Sequence, residues 1–141
     1  MEPKDFKHKI KIQVRYKDVD NQGHVNNAVH LTYFETARVE YFKDVISKPI
    51  DWSEKGMILA RNEIDYFIPL RLEDEVYCYT KTISFGTKSF EMANILTIKT
   101  GNTEIICAKG RIIIVCFNYK LHKTIEIPEE WKTIVAKYES L

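Results

Sequence analysis

Between Ala28 and Ile46 the chain carries no proline and no glycine, and Leu31, Phe34, Ala37, Tyr41 and Val45 recur at three- and four-residue spacing. Val29, Tyr33 and Phe42 widen this apolar stripe, so the spacing predicts a helix of about five turns, buried over much of its circumference. Pro49 and the loop "SKPIDWSEKG" end it, and no helical pattern of comparable length follows before the C-terminus. Instead come "MILARNEIDYFIPL" (57–70), "DEVYCYTKTISFG" (74–86), "SFEMANILTIKT" (89–100) and "TEIICAKGRIIIVCFN" (103–118). All four are rich in β-branched and aromatic residues and are separated by the turn chemistry of "RLED", "GTK" and "TGN". Links this short predict that successive strands are antiparallel neighbours, because a parallel crossover needs a dozen or more residues. Upstream, Ile10, Ile12, Val14 and Tyr16 alternate with Lys11, Gln13 and Arg15, the period of a strand with one wet face. The tail "IPEEWKTIVAKYESL" places a proline before two glutamates, which predicts a short terminal helix. One long apolar helix and about five strands bury each other as an α+β domain whose antiparallel sheet wraps the helix.

Composition narrows the partners. A chain of 141 residues with 45% hydrophobic and 29% charged content is sized for one domain, residues 1–141, with a substantial core. Lys and Arg number 21 against 20 Asp and Glu, a formal charge of +1, so no global field draws the chain to nucleic acid or to an acidic membrane. Cys78, Cys107 and Cys116 cannot all pair, and their spacing fits neither a redox CxxC motif nor a structural zinc site. They are expected to be reduced core residues of a cytoplasmic protein. The start "MEPKDFKHKIKIQV" lacks the apolar stretch of a signal peptide, and no run of about 20 apolar residues exists to span a bilayer.

The stretch "DVDNQGHVNNAVHLTYF" (18–34) places two carboxylates, a histidine and three asparagines, two of them adjacent, directly before the apolar helix. Gly23 and the Asn pair suit a tight loop, and Asn26 or Asn27 suits an N-cap. On physics alone this cap grammar is the commoner arrangement, yet it leaves Asp18, Asp20 and His24 without a role. A helix N-terminus presents free N–H donors that can stabilise charge developing on a carbonyl oxygen, and a carboxylate just upstream can attack that carbonyl or activate water against it.

"VRYKDVDNQGHVNNAVHLTYFETARVEYF" resembles the first strand, loop and central helix of hotdog-fold acyl-CoA thioesterases of the 4-hydroxybenzoyl-CoA thioesterase-like group. "ARNEIDYFIPLRLEDEV" resembles that group's second strand and turn, and "FGTKSFEM" its following hairpin, so the likeness extends over most of the chain. The resemblance implies a sheet wrapped around the long helix, subunits joined edge to edge as a homodimer or dimer of dimers, and an active site at their interface. It also implies that Asp20 is the catalytic carboxylate, as nucleophile or general base, and that the backbone N–H of Asn27 polarises the thioester carbonyl. His24 and Gln22 stand where the similar acyl-carrier-protein thioesterases carry a histidine and an asparagine in the catalytic site. On this reading Gln22, Gly23 and Tyr33, with Phe34, contact the substrate, while Arg71, Lys88 and Ser89, at or beside turns, donate to the phosphates of coenzyme A. Solvated turn charges and core packing would explain the same side chains. Asp18 is expected to face away from Asp20, and its conversion to Asn to cost far less activity.

The expected reaction is hydrolysis of an acyl-CoA with water as second substrate, with no cofactor and no metal. His24 and His30 are six residues apart and would lie on different faces of a helix, which disfavours a metal pair and leaves His30 as a polar core or surface residue. No G-x-S-x-G elbow and no glycine-rich phosphate loop is present. Arg61 and Glu63 are expected to form a surface or structural ion pair, the alternatives being a buried pair or an approach to the loop carboxylates. An acyl-carrier-protein thioesterase, a non-catalytic hotdog acyl-binding module and a hotdog dehydratase are the alternatives.

Overall fold

The computed structural model describes residues 1–141. Strand β1 (His8–Ile12) is followed by a 3₁₀ turn (Tyr16–Asp18), the helix α1 (Val29–Ile46), and strands β2 (Gly56–Tyr66), β3 (Glu75–Phe85), β4 (Ser89–Thr100) and β5 (Thr103–Asn118). A two-residue strand β6 (Lys123–Thr124) and the helix α2 (Glu129–Glu139) complete the chain. Every strand pairing is antiparallel, in the order β1-β3-β4-β5-β2 with β6 beside the end of β5. No helix is long and apolar enough to cross a membrane.

The long helix forms where its spacing predicts. Asn26 starts it, its side-chain Oδ1 accepting the Ala28 N–H at 2.9 Å and its carbonyl the Val29 N–H at 2.9 Å. Ser47 ends it in a left-handed conformation, donating its N–H to Lys43 O. His30, Tyr33, Phe34, Ala37, Tyr41, Phe42 and Ile46 make the buried face. Its N-terminal half packs with Ile12, Val76, Leu96 and Ala108, and its C-terminal half with Phe90, Met92, Ile112, Ile114 and the α2 residues Trp131 and Val135. Between the two clusters runs a polar layer in which the Asn94 amide donates to Thr80 Oγ1 at 2.9 Å and the Tyr41 hydroxyl to buried Glu139 at 2.7 Å.

Two expectations fail. The first strand covers only His8–Ile12, and Tyr16, 85% exposed, instead opens the 3₁₀ turn. The second concerns β2, which pairs with β5 and not with β3. The strand stops at Tyr66 because the Phe67 and Ile68 N–H groups both turn to Cys107 O and Pro69 has none to offer. The link of eight residues, 67–74, extends to about 26 Å. Three strand spacings take about 14 Å, so a link too short for a parallel crossover is still long enough to skip two antiparallel strands.

The pairing of β2 with β5 skips Ala60, a bulge between Leu59 and Arg61. Ahead of it, Met57 and Leu59 share a face with Cys116 and Ile114 on the helix side; beyond it Asn62, Ile64 and Tyr66 take that face. Arg61 and Glu63 consequently point outward and form an exposed ion pair with each other.

Glycine at 110 sets how closely α1 approaches the sheet. A Cβ there would overlap Phe34 Cε2 and lie 2.9 Å from Cζ. Gly110→Ala is therefore expected to destabilise the fold by about 1–3 kcal/mol in chemical denaturation, the cost of overpacking, whereas alanine in an unhindered strand would stabilise.

Candidate active site

The loop from Val19 to Asn27 is shaped by its own short-range bonds. Val19 and Val25 face each other as an isolated bridge, the Asp20 N–H donates to His24 O at 2.8 Å, and the Gly23 N–H to Asp20 O at 3.0 Å. Gly23 sits at φ +77°, which a side chain would resist. Asp20 Oδ1 accepts the N–H groups of Gln22 at 2.8 Å and His24 at 3.3 Å, an Asx turn that uses one carboxylate oxygen and leaves Oδ2 without a partner in the chain.

The 3₁₀ turn that ends at Asp18 buries its side chain, and the loop that opens after it leaves Asp20 exposed. Asp18 is 2% exposed. Its carboxylate accepts from Arg15 Nη2 at 2.8 Å, from Arg15 Nε at 3.1 and 3.2 Å, from the Arg15 N–H at 2.9 Å and from the Tyr33 hydroxyl at 2.8 Å. Burial raises the Asp18 carboxyl, but Arg15 and Tyr33 outweigh it and hold it below the usual carboxylate range. The Tyr33 hydroxyl is pushed up by burial and by this carboxylate.

Asp20, His24 and Asn27 line one wall of an open cleft of about 350 Å³. The opposite wall is apolar and comes from the end of β2 and the residues after it: Tyr66, Phe67, Ile68 and Pro69. The Asn27 N–H carries no hydrogen bond within the chain, while its carbonyl is held by the Tyr66 hydroxyl at 3.0 Å. A free backbone donor two residues before the helix and a free carboxylate oxygen thus share one cleft.

Two residues of this cleft escape the sequence reasoning. His30, which reads in sequence as a core or surface residue, is buried at its base with Nδ1 3.3 Å from Asn26 O and its ring edge-on to Tyr66. Burial pushes its pKa down against the opposing carbonyls of Asn26 and Asn27. Its place with Tyr33, Phe34, Ala37 and Tyr41 on the buried stripe was the available signal. Tyr66 comes from a strand remote in sequence, and only the register of β2 places it here.

Other candidates lie elsewhere. Gln22 and Gly23 form the exposed loop tip, outside the cleft lining. Tyr33 lies under the loop against Asp18, not in the cleft, because its hydroxyl finds its partner there, and Phe34 is spent on Gly110. Arg71 is in the β2–β3 link, its N–H donating to Asp74. Lys88 Nζ reaches Thr124 from the β3–β4 hairpin, and Ser89 pairs with Val115, seven residues along β5 from the partner of Tyr66. At about 3.3 Å per residue that is roughly 20 Å from the cleft. All three cysteines are buried and unpaired, with burial raising Cys78 and Cys107 to about 12 and Cys116 to about 11. No three His, Cys, Asp or Glu side chains converge to hold a metal ion.

The family model of the thioesterase-like superfamily matches residues 14–135, which includes the whole cleft. The chain belongs to this superfamily. A thioesterase from Thermus thermophilus, crystallised with coenzyme A and zinc, is 33% identical, with 96% of each chain covered and a TM-score of 0.83. A predicted thioesterase from Bacillus stearothermophilus is 25% identical over 92% of this chain and 94% of its own, with a TM-score of 0.80. Among curated sequences, the uncharacterised protein YsmA of Bacillus subtilis (strain 168) is 25% identical over 86% of this chain and 80% of its own. The curled sheet around α1 is the hotdog fold of these thioesterases.

Burial of neutral His30 has a pH signature. Its folded pKa lies below the ordinary 6.5, so the stability it contributes is present above that value. It is lost as pH falls, because the unfolded chain then takes up a proton that the folded chain resists. The melting temperature should drop between about pH 7.5 and 5.5, and less steeply in His30→Gln.

Proposed function

We propose that the protein hydrolyses an acyl-CoA thioester to the free carboxylate and coenzyme A, with Asp20 and the Asn27 N–H as its catalytic groups. The observation that carries this reading is the free Asp20 Oδ2 and the free Asn27 N–H on one wall of a cleft whose other wall is apolar. The carboxylate stands beside the place where a thioester carbon would lie. Asp20 Oδ2 either attacks that carbon, forming an anhydride that water then opens, or takes a proton from a water that attacks it directly. In both routes negative charge builds on the carbonyl oxygen, and a positioned N–H donor there is worth about 2.7–4 kcal/mol in the transition state. The carbon–sulfur bond breaks, coenzyme A leaves as its thiolate, and His24, on the same wall, is placed to return a proton to it. Water is the only co-substrate, and the reading calls for no metal or redox cofactor. The buried thiols, held near 11 to 12, are poor nucleophiles at neutral pH. The coenzyme A bound by the Thermus relative supports the carrier.

The proposal includes a homodimer. Strand β2 is an edge strand with its outer backbone unpaired, and Ile58, Leu59, Tyr66, Phe67 and Ile68 are each more than a third exposed. A two-fold axis pairing β2 with β2 of a second copy runs the strands antiparallel. The Gly56 end of one copy, where Lys88 and Ser89 lie, then comes beside the Tyr66 end of the other. This is the geometry in which those two residues could meet the phosphates of a coenzyme A held in the facing cleft. Light scattering at micromolar concentration should give twice the chain mass, and a monomer would remove this part of the proposal.

The decisive assay is thiol release across short, long, branched and aromatic acyl-CoAs, with the matching acyl-carrier-protein thioesters as the contrasting arm. On the best substrate Asp20→Asn should lower turnover at least about 100-fold, with melting temperature and acyl-CoA binding little changed. Tight binding without thiol release by the parent would mark an acyl-binding module instead.

A further inference from the structure

Asp18 is the most heavily bonded side chain near the cleft, yet it touches nothing in it. Five hydrogen-bond contacts reach its carboxylate, four from Arg15 and one from Tyr33. Its own carbonyl accepts the Asn26 N–H at 2.8 Å, and its N–H donates to Arg15 O at 2.9 Å. One residue thereby joins the end of the first strand segment, the exit of the loop and the second turn of α1. Asp20 and Asn27, the two catalytic groups, each lie next to a point so fixed. Asp20 follows it by two residues, and Asn27 adjoins the Asn26 amide that Asp18 holds.

From this junction we propose that Asp18, clamped by Arg15 and Tyr33, is the positioning residue of the active site, setting the direction of the Asn27 N–H relative to Asp20. The inference rests on the reading of Asp20 and Asn27 as the catalytic pair. Every polar group facing the Asp18 carboxylate is a donor: a guanidinium, a backbone N–H and a hydroxyl. An amide at this position cannot satisfy them all, because whichever way it is turned its NH₂ meets a donor. Asp18→Asn therefore keeps the volume of the side chain and breaks the clamp. The loop is also held by the Val19–Val25 bridge, its internal turn bonds and the Val25 N–H to Leu70 O at 2.7 Å, while Asn26 O meets the Val29 N–H and His30 Nδ1 in the first turn of α1 and Asn27 O the Tyr66 hydroxyl. Of these contacts only those of Asp18 join the start of the loop, its exit and the second turn of α1. Displacements well under an ångström at a developing oxyanion are felt in turnover rather than in ground-state binding.

The test compares Asp18→Asn, Tyr33→Phe, Asp20→Asn and the Asp18→Asn/Asp20→Asn double variant in the full chain. The substrate is the acyl-CoA that the parent hydrolyses best, and rates are corrected for folded fraction. Asp18→Asn is expected to lower kcat at least about 30-fold with KM within about twofold, the pattern of a lost transition-state interaction. Tyr33→Phe, which removes one bond and leaves the Arg15 pair, should lower kcat about three- to tenfold. In the Asp20→Asn background the Asp18 substitution should cost no more than about twofold further, since groups acting through one another are not additive. A merely structural Asp18 would cost the same factor in both backgrounds, and that outcome overturns the proposal. So does a folded Asp18→Asn with parental kcat. If Asp18→Asn does not fold, Tyr33→Phe decides, and its unchanged kcat is equally fatal. Full turnover by Asp20→Asn would sink the catalytic reading together with this inference. An inactive Asp20→Asn beside a fully active Asp18→Asn would sink the inference alone.

Discussion

The contact between the Phe34 ring and the backbone of Gly110 fixes the distance between α1 and the middle of the sheet, and the rest of the architecture is arranged around that distance. The helix can sink this far only because β5 presents no side chain beneath the ring. Around it Ala37, Ala108 and Leu96 close one apolar cluster. Burying a phenylalanine stabilises by about 1.5–3 kcal/mol. Its larger consequence is positional, because the start of α1 is held at a set height above the ends of β1 and β2. The cleft lies in the gap left there between helix, loop and strand.

At the rim of that gap a change of local structure separates two like residues. Asp18 and Asp20 are two residues apart in sequence, but the 3₁₀ turn ends at Asp18 and the loop opens immediately after it. The side chains therefore leave in opposite directions. The inner carboxylate is saturated by donors. The outer one spends a single oxygen on its own loop and keeps the other available. A shared residue type thus serves as anchor and as reagent, separated by burial and by the supply of hydrogen-bond donors.

Much of this was legible in the sequence, and the limits of the legibility have physical causes. The helix, the four later strands and the grouping of Asp20, His24 and Asn27 follow from local periodicity and from one contiguous loop. The place of β2 does not, because a link of eight residues excludes a parallel crossover without choosing among antiparallel partners. The first strand reads too long, since the alternation that includes Val14 and Tyr16 continues beyond the point where the backbone leaves the sheet. His30 stays hidden because it belongs to a stripe that reads as ordinary core. Tyr66 reaches the loop only through a register set some 40 residues away in the chain. Asp18 reads as the lesser of two neighbouring carboxylates because its partners, Arg15 and Tyr33, come together only once the helix folds back over the turn.

The bulge at Ala60 governs which of these groups can exist together. Strand β2 carries two apolar phases out of step, Met57 and Leu59 before it, Ile64 and Tyr66 after it, and the unpaired residue is what lets both face the helix. Pairing Ala60 as an ordinary strand residue would turn the second half of the strand over, pressing Arg61, Glu63 and Asp65 toward the core and carrying the Tyr66 hydroxyl to the opposite side, away from Asn27. What is quantised is the number of paired residues in this strand. Between its two halves a relative can drop the bulged residue, or gain or lose paired residues two at a time, with the cleft intact, whereas one paired residue more or fewer exchanges inside for outside along the second half.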